Sequence, residues 1–413
     1  MIEFKKFTLD NNLKVIFHHD PSTPMAVVNT LFDVGARDED ENKTGFAHLF
    51  EHLMFGGSVN IPDFDGPLQQ AGGESNAFTS NDITNYYDTL PAHNLETALW
   101  LESDRMLNLA FTPKSLEVQR QVVIEEFKQR YLNQPYGDAW LEFRPLAYKK
   151  HSYKWATIGK EVAHIEDATM QDVKEFFSKY YNPSNAILCI AGNFEEAFVQ
   201  DMVNKWYREI PAGIKVPRNI PQEPSQKEFR EKTIERNVPA DAFYYGFKMP
   251  GKTDELYYTA DLLSDVLGRG KSSRLHTKIY KELNLASEIA AYVLGAHDEG
   301  LLMISGKLNN GVSFDQLDDA IWEVLETVKA RPIDLTELKK IKNKVETTAV
   351  FSDQGILNKA MSLSAHELLG DANHINVEQQ IYDNVTAEMI HTYAQHKLVK
   401  TNCSVLKIKA STK

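Results

Sequence analysis

Cysteine is nearly absent from this chain of 413 residues: there are two, Cys189 and Cys403. Both stand in apolar, strand-like surroundings. That excludes a disulfide framework or a thiolate metal site and reads as two reduced core residues. Long apolar runs are missing as well. The longest, around 186–191, falls far short of the ~20 residues that a membrane-spanning helix requires, so no membrane partner is expected. The opening residues, Met1-Ile2-Glu3-Phe4-Lys5-Lys6, do not run from a basic stretch into an apolar one, so no signal peptide is visible. The expected location is cytoplasmic, or periplasmic with a signal already removed. With 42% hydrophobic and 25% charged residues, disorder is excluded as the main theme. The length suits two ordinary domains or three small ones.

Positive charge is scarce in one place. The net charge is −13, of which residues 1–215 hold −11 and residues 216–413 only −2. Positions 44–104 contain nine acids and no Lys or Arg. Nucleic acid is thereby excluded as an expected partner, because binding it needs a basic footprint. An acidic surface can draw cationic ligands. On charge alone, a solvated acidic face is the simpler reading.

The first half opens with two alternating, strand-like segments, 13–17 and 25–32, joined by a turn at His19-Asp20-Pro21-Ser22. Phe46, Leu49, Phe50, Leu53 and Met54 have helical spacing, and Gly56-Gly57 ends that helix. Residues 77–90 have strand character. Helices are predicted over 95–108, from Thr112-Pro113 to about Tyr131, and over 167–180, and a buried strand over 185–191. The proline-spaced stretch 211–224 reads as exposed, extended chain. It gives the expected partition: a first domain over 1–210, a linker over 211–230 and a second domain over 231–413. The second half repeats the order strand, charged loop, helix, glycines, through a strand at 242–249, a helix at 256–267 and Gly268-Arg269-Gly270. In that overlay His48-Leu49-Phe50-Glu51-His52 meets Asp261-Leu262-Leu263-Ser264-Asp265. The apolar positions match and the polar chemistry does not, as expected of a duplicated domain in which only the first copy kept a site.

The sharpest motif is His48-x-x-Glu51-His52. At i and i+4 of a helix, two imidazoles project from one face and can share a Zn²⁺ ion, while Glu51 borders that face and can take a proton from water. The spacing is the inverse of His-Glu-x-x-His and occurs among zinc peptidases. By itself, such a short match is equally a polar helix face. Its apolar setting argues otherwise, because unpaired polar groups there are costly. A catalytic zinc also needs a third protein ligand, and Glu125-Glu126 in the helix after Pro113 supplies candidates. Glu126 shares a face with Val122 and Val123 and can point inward. Glu125 lies nearer Gln121 and Gln129 and reads as solvated. Val122 borders both faces, so the pair also fits an ordinary charged surface. His151, His164, His276 and His297 have no partners at ligand spacing.

With these residues in place, the chain resembles the pitrilysin, insulin-degrading enzyme and mitochondrial processing peptidase family of inverzincin zinc peptidases, in its short two-domain bacterial form. The matching pieces run in order. They are 31–38 (Leu31 to Asp38), His48–His52, Gly72-Gly73-Glu74-Ser75-Asn76-Ala77-Phe78-Thr79 and Glu125-Glu126. Then come Ile158-Gly159, Tyr180-Tyr181-Asn182-Pro183-Ser184-Asn185, Ala191-Gly192-Asn193-Phe194, and Gly268-Arg269-Gly270-Lys271-Ser272-Ser273-Arg274-Leu275. The resemblance covers nearly the whole chain. It implies one zinc ion held by His48, His52 and Glu126, with 73 residues between the second and third, and Glu51 as general base. It implies that Asn76, Ala77 and Phe78 lie on the edge strand that holds substrate. The implied fold is α+β: two similar, pseudo-twofold-related domains, each an antiparallel sheet packed against helices, closing into a chamber.

Two departures from the family pattern matter. Relatives usually carry an acid seven residues before the glutamate ligand, and here that position is Gln119. A glutamine can still hydrogen-bond behind the ligands. Active relatives also carry an Arg and a Tyr in the second half to hold substrate and stabilise the oxyanion. At those positions stand Tyr280 and Ser287. The expectation is therefore a zinc endopeptidase acting on peptides or unfolded polypeptides, as the zinc-bearing subunit of a heterodimer whose homologous partner supplies Arg and Tyr. A homodimer with other donors is the weaker form. A non-catalytic scaffold or processing-complex subunit of the same fold is the alternative.

Overall fold

The strands build two sheets, each with its own core, their buried positions filled by aliphatic and aromatic side chains. The computed structural model describes residues 1–215 and 217–411. In the first sheet lie β1 (Lys5–Thr8), β2 (Lys14–His19), β3 (Met25–Phe32), β4 (Glu74–Thr79), β5 (Thr84–Pro91) and β6 (Ala186–Gly192). Their spatial order is β1-β2-β6-β3-β5-β4. The central strand β6 is buried along its whole length, and β3 along all but its first residue. At one edge β4 pairs only with β5, Asn76 opposite Tyr87 and Thr79 opposite Thr84. The strand character expected over 77–90 resolves into this β4–β5 hairpin. Ser80 Oγ accepts the backbone N–H of Asp82 and of Ile83 to make its turn.

The second sheet contains β7 (Arg230–Arg236), β8 (Ala242–Met249), β9 (Ala286–Leu294), β10 (Gly300–Leu308) and β11 (Cys403–Ala410), in the order β7-β11-β8-β10-β9. The sheets expected to be antiparallel are mixed. Each carries one parallel pair, β2 with β6 and β7 with β11. In both cases the later strand returns after a long helical segment, and such crossovers are what parallel pairing requires.

Five helices pack against these sheets or hold the candidate site: α1 (Phe46–Leu53), α2 (Pro113–Phe127), α3 (Ala139–Ala147), α4 (Leu256–Gly268) and α5 (Ile356–Leu369). The partition of the chain is not linear. One unit comprises Met1–Lys128, Trp155–Ile220 and Ala349–Asn376; the other comprises Gln129–Lys154, Pro221–Thr348 and Val377–Lys413. The stretch 211–229 separates the two sheets in sequence, and two helical segments, 129–154 and 349–376, belong with the other half's sheet.

In the first unit, α5 lies across β3 and β6. Its Ala360 and Leu363 pack with Ile16, Val27, Leu31, Ile187 and Cys189, and Asn29 Nδ2 donates to Ser364 Oγ at 3.0 Å. In the second unit, α3 lies across β7, β8 and β11, with Phe143 among Ala242, Met303, Leu406 and Ile408. A Cβ on Gly246 of β8 would come within 2.5 Å of the Phe143 ring, so glycine there lets this helix seat. Between the sheets' sequences, the described residues of 211–229 form no helix or strand; Val216 lies outside them. Arg218 pins that stretch within its own unit, on Asp33 (2.7 Å) and Asp38 (2.5 Å).

Candidate metal centre

Helix α1 starts at Gly45, whose φ of 88° is left-handed, a conformation that glycine adopts without strain. No side chain of the adjacent residues caps it. Instead the buried carboxylate of Glu39 accepts the backbone N–H of Gly45 and of Ala47, both at 2.9 Å. Burial pushes the Glu39 carboxyl up to about 8, against the opposing pull of those two donors. Further along, Tyr86 Oη on β5 donates to the carbonyl of Phe50 at 3.1 Å. Phe46, Ala47, Leu49, Phe50 and Leu53 are buried, so the polar face presented by His48, Glu51 and His52 is fixed by packing behind it.

Helix α2 begins with Thr112 as N-cap, its side chain accepting the N–H of Ser115 at 3.0 Å, and with a proline in its first turn. Its buried residues are Leu116, Val123, Ile124 and Phe127. After Phe127 the chain continues as a π-helical turn over Lys128–Leu132, so the helical region reaches the expected end near Tyr131. Val123 is inward as read from the sequence, whereas Val122 is exposed. Glu125 is solvated and pairs with Lys128 at 2.9 Å. Glu126 turns inward to α1.

There, Glu126 Oε2 lies 3.5 Å from His48 Nε2 and 3.4 Å from His52 Nε2. One ligand atom from each of these three residues falls within 4.8 Å of the others, the only such group of three among the described residues. The two imidazole planes stand at 89° with centroids 4.9 Å apart. His52 Nε2 is shielded from solvent and makes no hydrogen bond. Two ligands about 2.0–2.2 Å from an ion at a tetrahedral angle lie roughly 3.4 Å apart. Distances and donor types therefore fit a divalent ion. Glu51, on the same face, accepts a hydrogen bond from Thr79 Oγ1 at 2.6 Å.

The other expected residues fall as follows. Asn76 and Phe78 on β4 are exposed and Ala77 is half-buried, with β4 packed beside α1. Gln119 is half-buried on α2, two turns before Glu126. In the second unit, Tyr280 is exposed and stacks on His276 with centroids 4.6 Å apart. Ser287 Oγ donates to the carbonyl of Lys307 at 3.4 Å.

The overlay positions of α4 carry carboxylates. Asp261 accepts from Tyr382 Oη at 2.7 Å. Buried Asp265 is raised to about 6 by desolvation and lies 3.4 Å from Arg269. Sequence reasoning missed Glu39 and Thr79. Thr79 was findable, because period-two alternation puts it on the same face of β4 as Ala77. Glu39 was not, because its contact bridges a loop.

A duplicated α+β chain with one His-His-Glu centre, a glutamate beside it and an open edge strand falls in the class of metal-peptidase-like proteins. Residues 14–144 match the model for insulinase (peptidase family M16), and residues 167–345 the model for the peptidase M16 inactive domain. The chain belongs to the M16 peptidase family. It is 32% identical over 341 residues to the zinc protease PqqE of Helicobacter pylori, covering 81% of this chain and 77% of that one. It is 26% identical to the uncharacterized zinc protease YmxG of Bacillus subtilis, covering 88% of each. A crystal structure of a protease from Helicobacter pylori superposes with a TM-score of 0.93 at 28% identity, covering 99% of this chain and 100% of that one.

Proposed function

We propose that this chain is a zinc-dependent endopeptidase of peptides or unfolded polypeptides, with the ion held by His48, His52 and Glu126. The observation that carries the reading is His52 Nε2, buried, without a hydrogen bond and 3.4 Å from Glu126 Oε2. A desolvated nitrogen aimed at a carboxylate is costly unless a cation lies between them. The names of the Helicobacter and Bacillus relatives support zinc as that cation. When bound, zinc polarises the scissile carbonyl and lowers the pKa of water towards neutrality.

The remaining work falls to the chain. Glu51 takes the proton of the attacking water at a carboxylate oxygen and passes it to the leaving amine. The open edge of β4 at Asn76, Ala77 and Phe78 receives an extended peptide as a further strand, backbone to backbone. Such binding selects extended shape more than sequence. Tyr280 and Ser287 provide no cationic oxyanion donor. A missing donor typically costs about 2.7–4 kcal/mol of transition-state stabilisation. The reading therefore includes a homologous partner subunit that supplies Arg and Tyr, or failing that a homodimer with other donors.

Metal analysis and peptide hydrolysis test this together. One zinc per chain is expected. Glu51→Gln keeps the zinc and loses hydrolysis by about 10²–10⁴-fold. A chain without stoichiometric zinc, or one indifferent to Glu51→Gln, is a scaffold and not a peptidase. Full activity of the lone chain, unchanged by a homologous subunit, removes the partner from the reading.

A further inference from the structure

The carboxylate of Glu51 is held by one side chain. Thr79, the last residue of β4, donates its hydroxyl to Glu51 Oε2 at 2.6 Å. Donor and acceptor both sit on fixed elements. Thr79 is paired across the hairpin with buried Thr84, and α1 is held by Glu39 and Tyr86. A glutamate has three rotatable bonds, and a part-exposed one samples several rotamers unless a partner selects one. Threonine is stiff at χ1, so its hydroxyl is a directed donor. The hydroxyl has a single proton. Donating it to Oε2 commits that oxygen to β4 and leaves Oε1 to accept from water.

We infer that Thr79 is a positioning residue for the hydrolytic reaction: its hydroxyl fixes the Glu51 carboxylate so that the second oxygen meets the attacking water. The inference rests on the proposed function and adds to it a link between the substrate strand and the base. Because Thr79 closes the same strand that carries Asn76, Ala77 and Phe78, the element that receives the peptide also aims the group that activates water. Placing a reacting group to within a fraction of an ångström is a large share of catalytic advantage.

The test compares Thr79→Val, which keeps the branched shape and removes the donor, with Thr79→Ser, which keeps the donor. In Thr79→Val, kcat falls about ten- to a hundredfold, the range of a hydrogen bond to a charged group. KM, zinc content and melting temperature stay at wild-type values, since the backbone ladder of β4 is untouched. Thr79→Ser recovers most of the loss. High-resolution crystal structures give a readout independent of turnover: Glu51 holds one rotamer in the wild type and spreads over several in Thr79→Val. Should valine not be tolerated, Thr79→Ala makes the same comparison. A Thr79→Val turnover within twofold of wild type, a serine variant as slow as the valine one, or an equally ordered Glu51 overturns the inference. If the wild type itself binds no zinc and cleaves no peptide, the proposed function falls instead, so the two failures are separable.

Discussion

Lys248 is a buried cation with little to pair with. It is 3% exposed, its Nζ sits 3.1 Å from the centre of the Tyr148 ring, and its nearest carboxylate oxygen, on Glu299, is 3.9 Å away. Nζ makes no hydrogen bond. Burial lowers its pKa from 10.5 to about 7, more than Glu299 and Glu223 can offset. Between pH 7 and 10 the unfolded chain therefore binds a proton that the folded chain does not, and the contribution of this group makes stability rise with pH across that window. Lys248→Met removes both the cost and its pH dependence. The melting temperature of the variant at pH 7 is expected to exceed that of wild type by at least about 1 °C, because about 1 kcal/mol shifts the melting of a chain this long by roughly 1 °C. The gap closes as the pH approaches 10. A gap that is constant with pH refutes the assignment.

At the scale of an element, α1 is where sequence and tertiary structure divide the labour. The helix, its polar face and the inward turn of Glu126 were legible because 3.6-residue periodicity reports which side chains share a side. What held the helix was not legible. The sequence has no Ser, Thr, Asp or Asn at Gly45, and the cap comes from Glu39 across a loop. Glu39→Ala strips two buried N–H groups of their acceptor, at about 1–3 kcal/mol. The first turn of α1, which carries His48, loosens with it. Urea unfolding should show a loss of that size, and chelator competition a weaker hold on zinc, with both restored in part by Glu39→Gln. Unchanged zinc affinity in Glu39→Ala breaks the link between cap and centre.

Periodicity left Val122, which proves exposed, bordering both faces. It could not foresee that α5 covers the first sheet or α3 the second. An apolar helix face states that it must be buried, not which sheet buries it.

For the whole molecule, charge divides unevenly between the two halves. The copy ending in −2 carries Asp261 and Asp265 at the overlay positions, engaged with Tyr382 and Arg269. The copy with −11 carries the His-His-Glu centre. Within 44–104 the nine acids are not all solvated ornaments: Glu102 is buried against Arg105 and Asp82 pairs with Arg37. Asp63, Asp65 and Glu74 are exposed, and Glu74 opens the strand proposed to receive substrate. No base in that stretch neutralises them.

A field of one sign raises the local concentration of oppositely charged ligands, by about tenfold or more at low ionic strength. Exposed charges are screened over about 8 Å at 0.15 M salt. Of two unfolded peptides sharing one cleavage site, the one flanked by Lys and Arg should be cleaved with the higher kcat/KM at low salt. The advantage should shrink towards unity as salt is added, and it should lie in KM and not in kcat, because the charges steer the peptide and do not touch the reacting bond. Equal kcat/KM for the basic and acidic peptides at low salt would return the acidity of 44–104 to a solvated face with no role in selecting substrate.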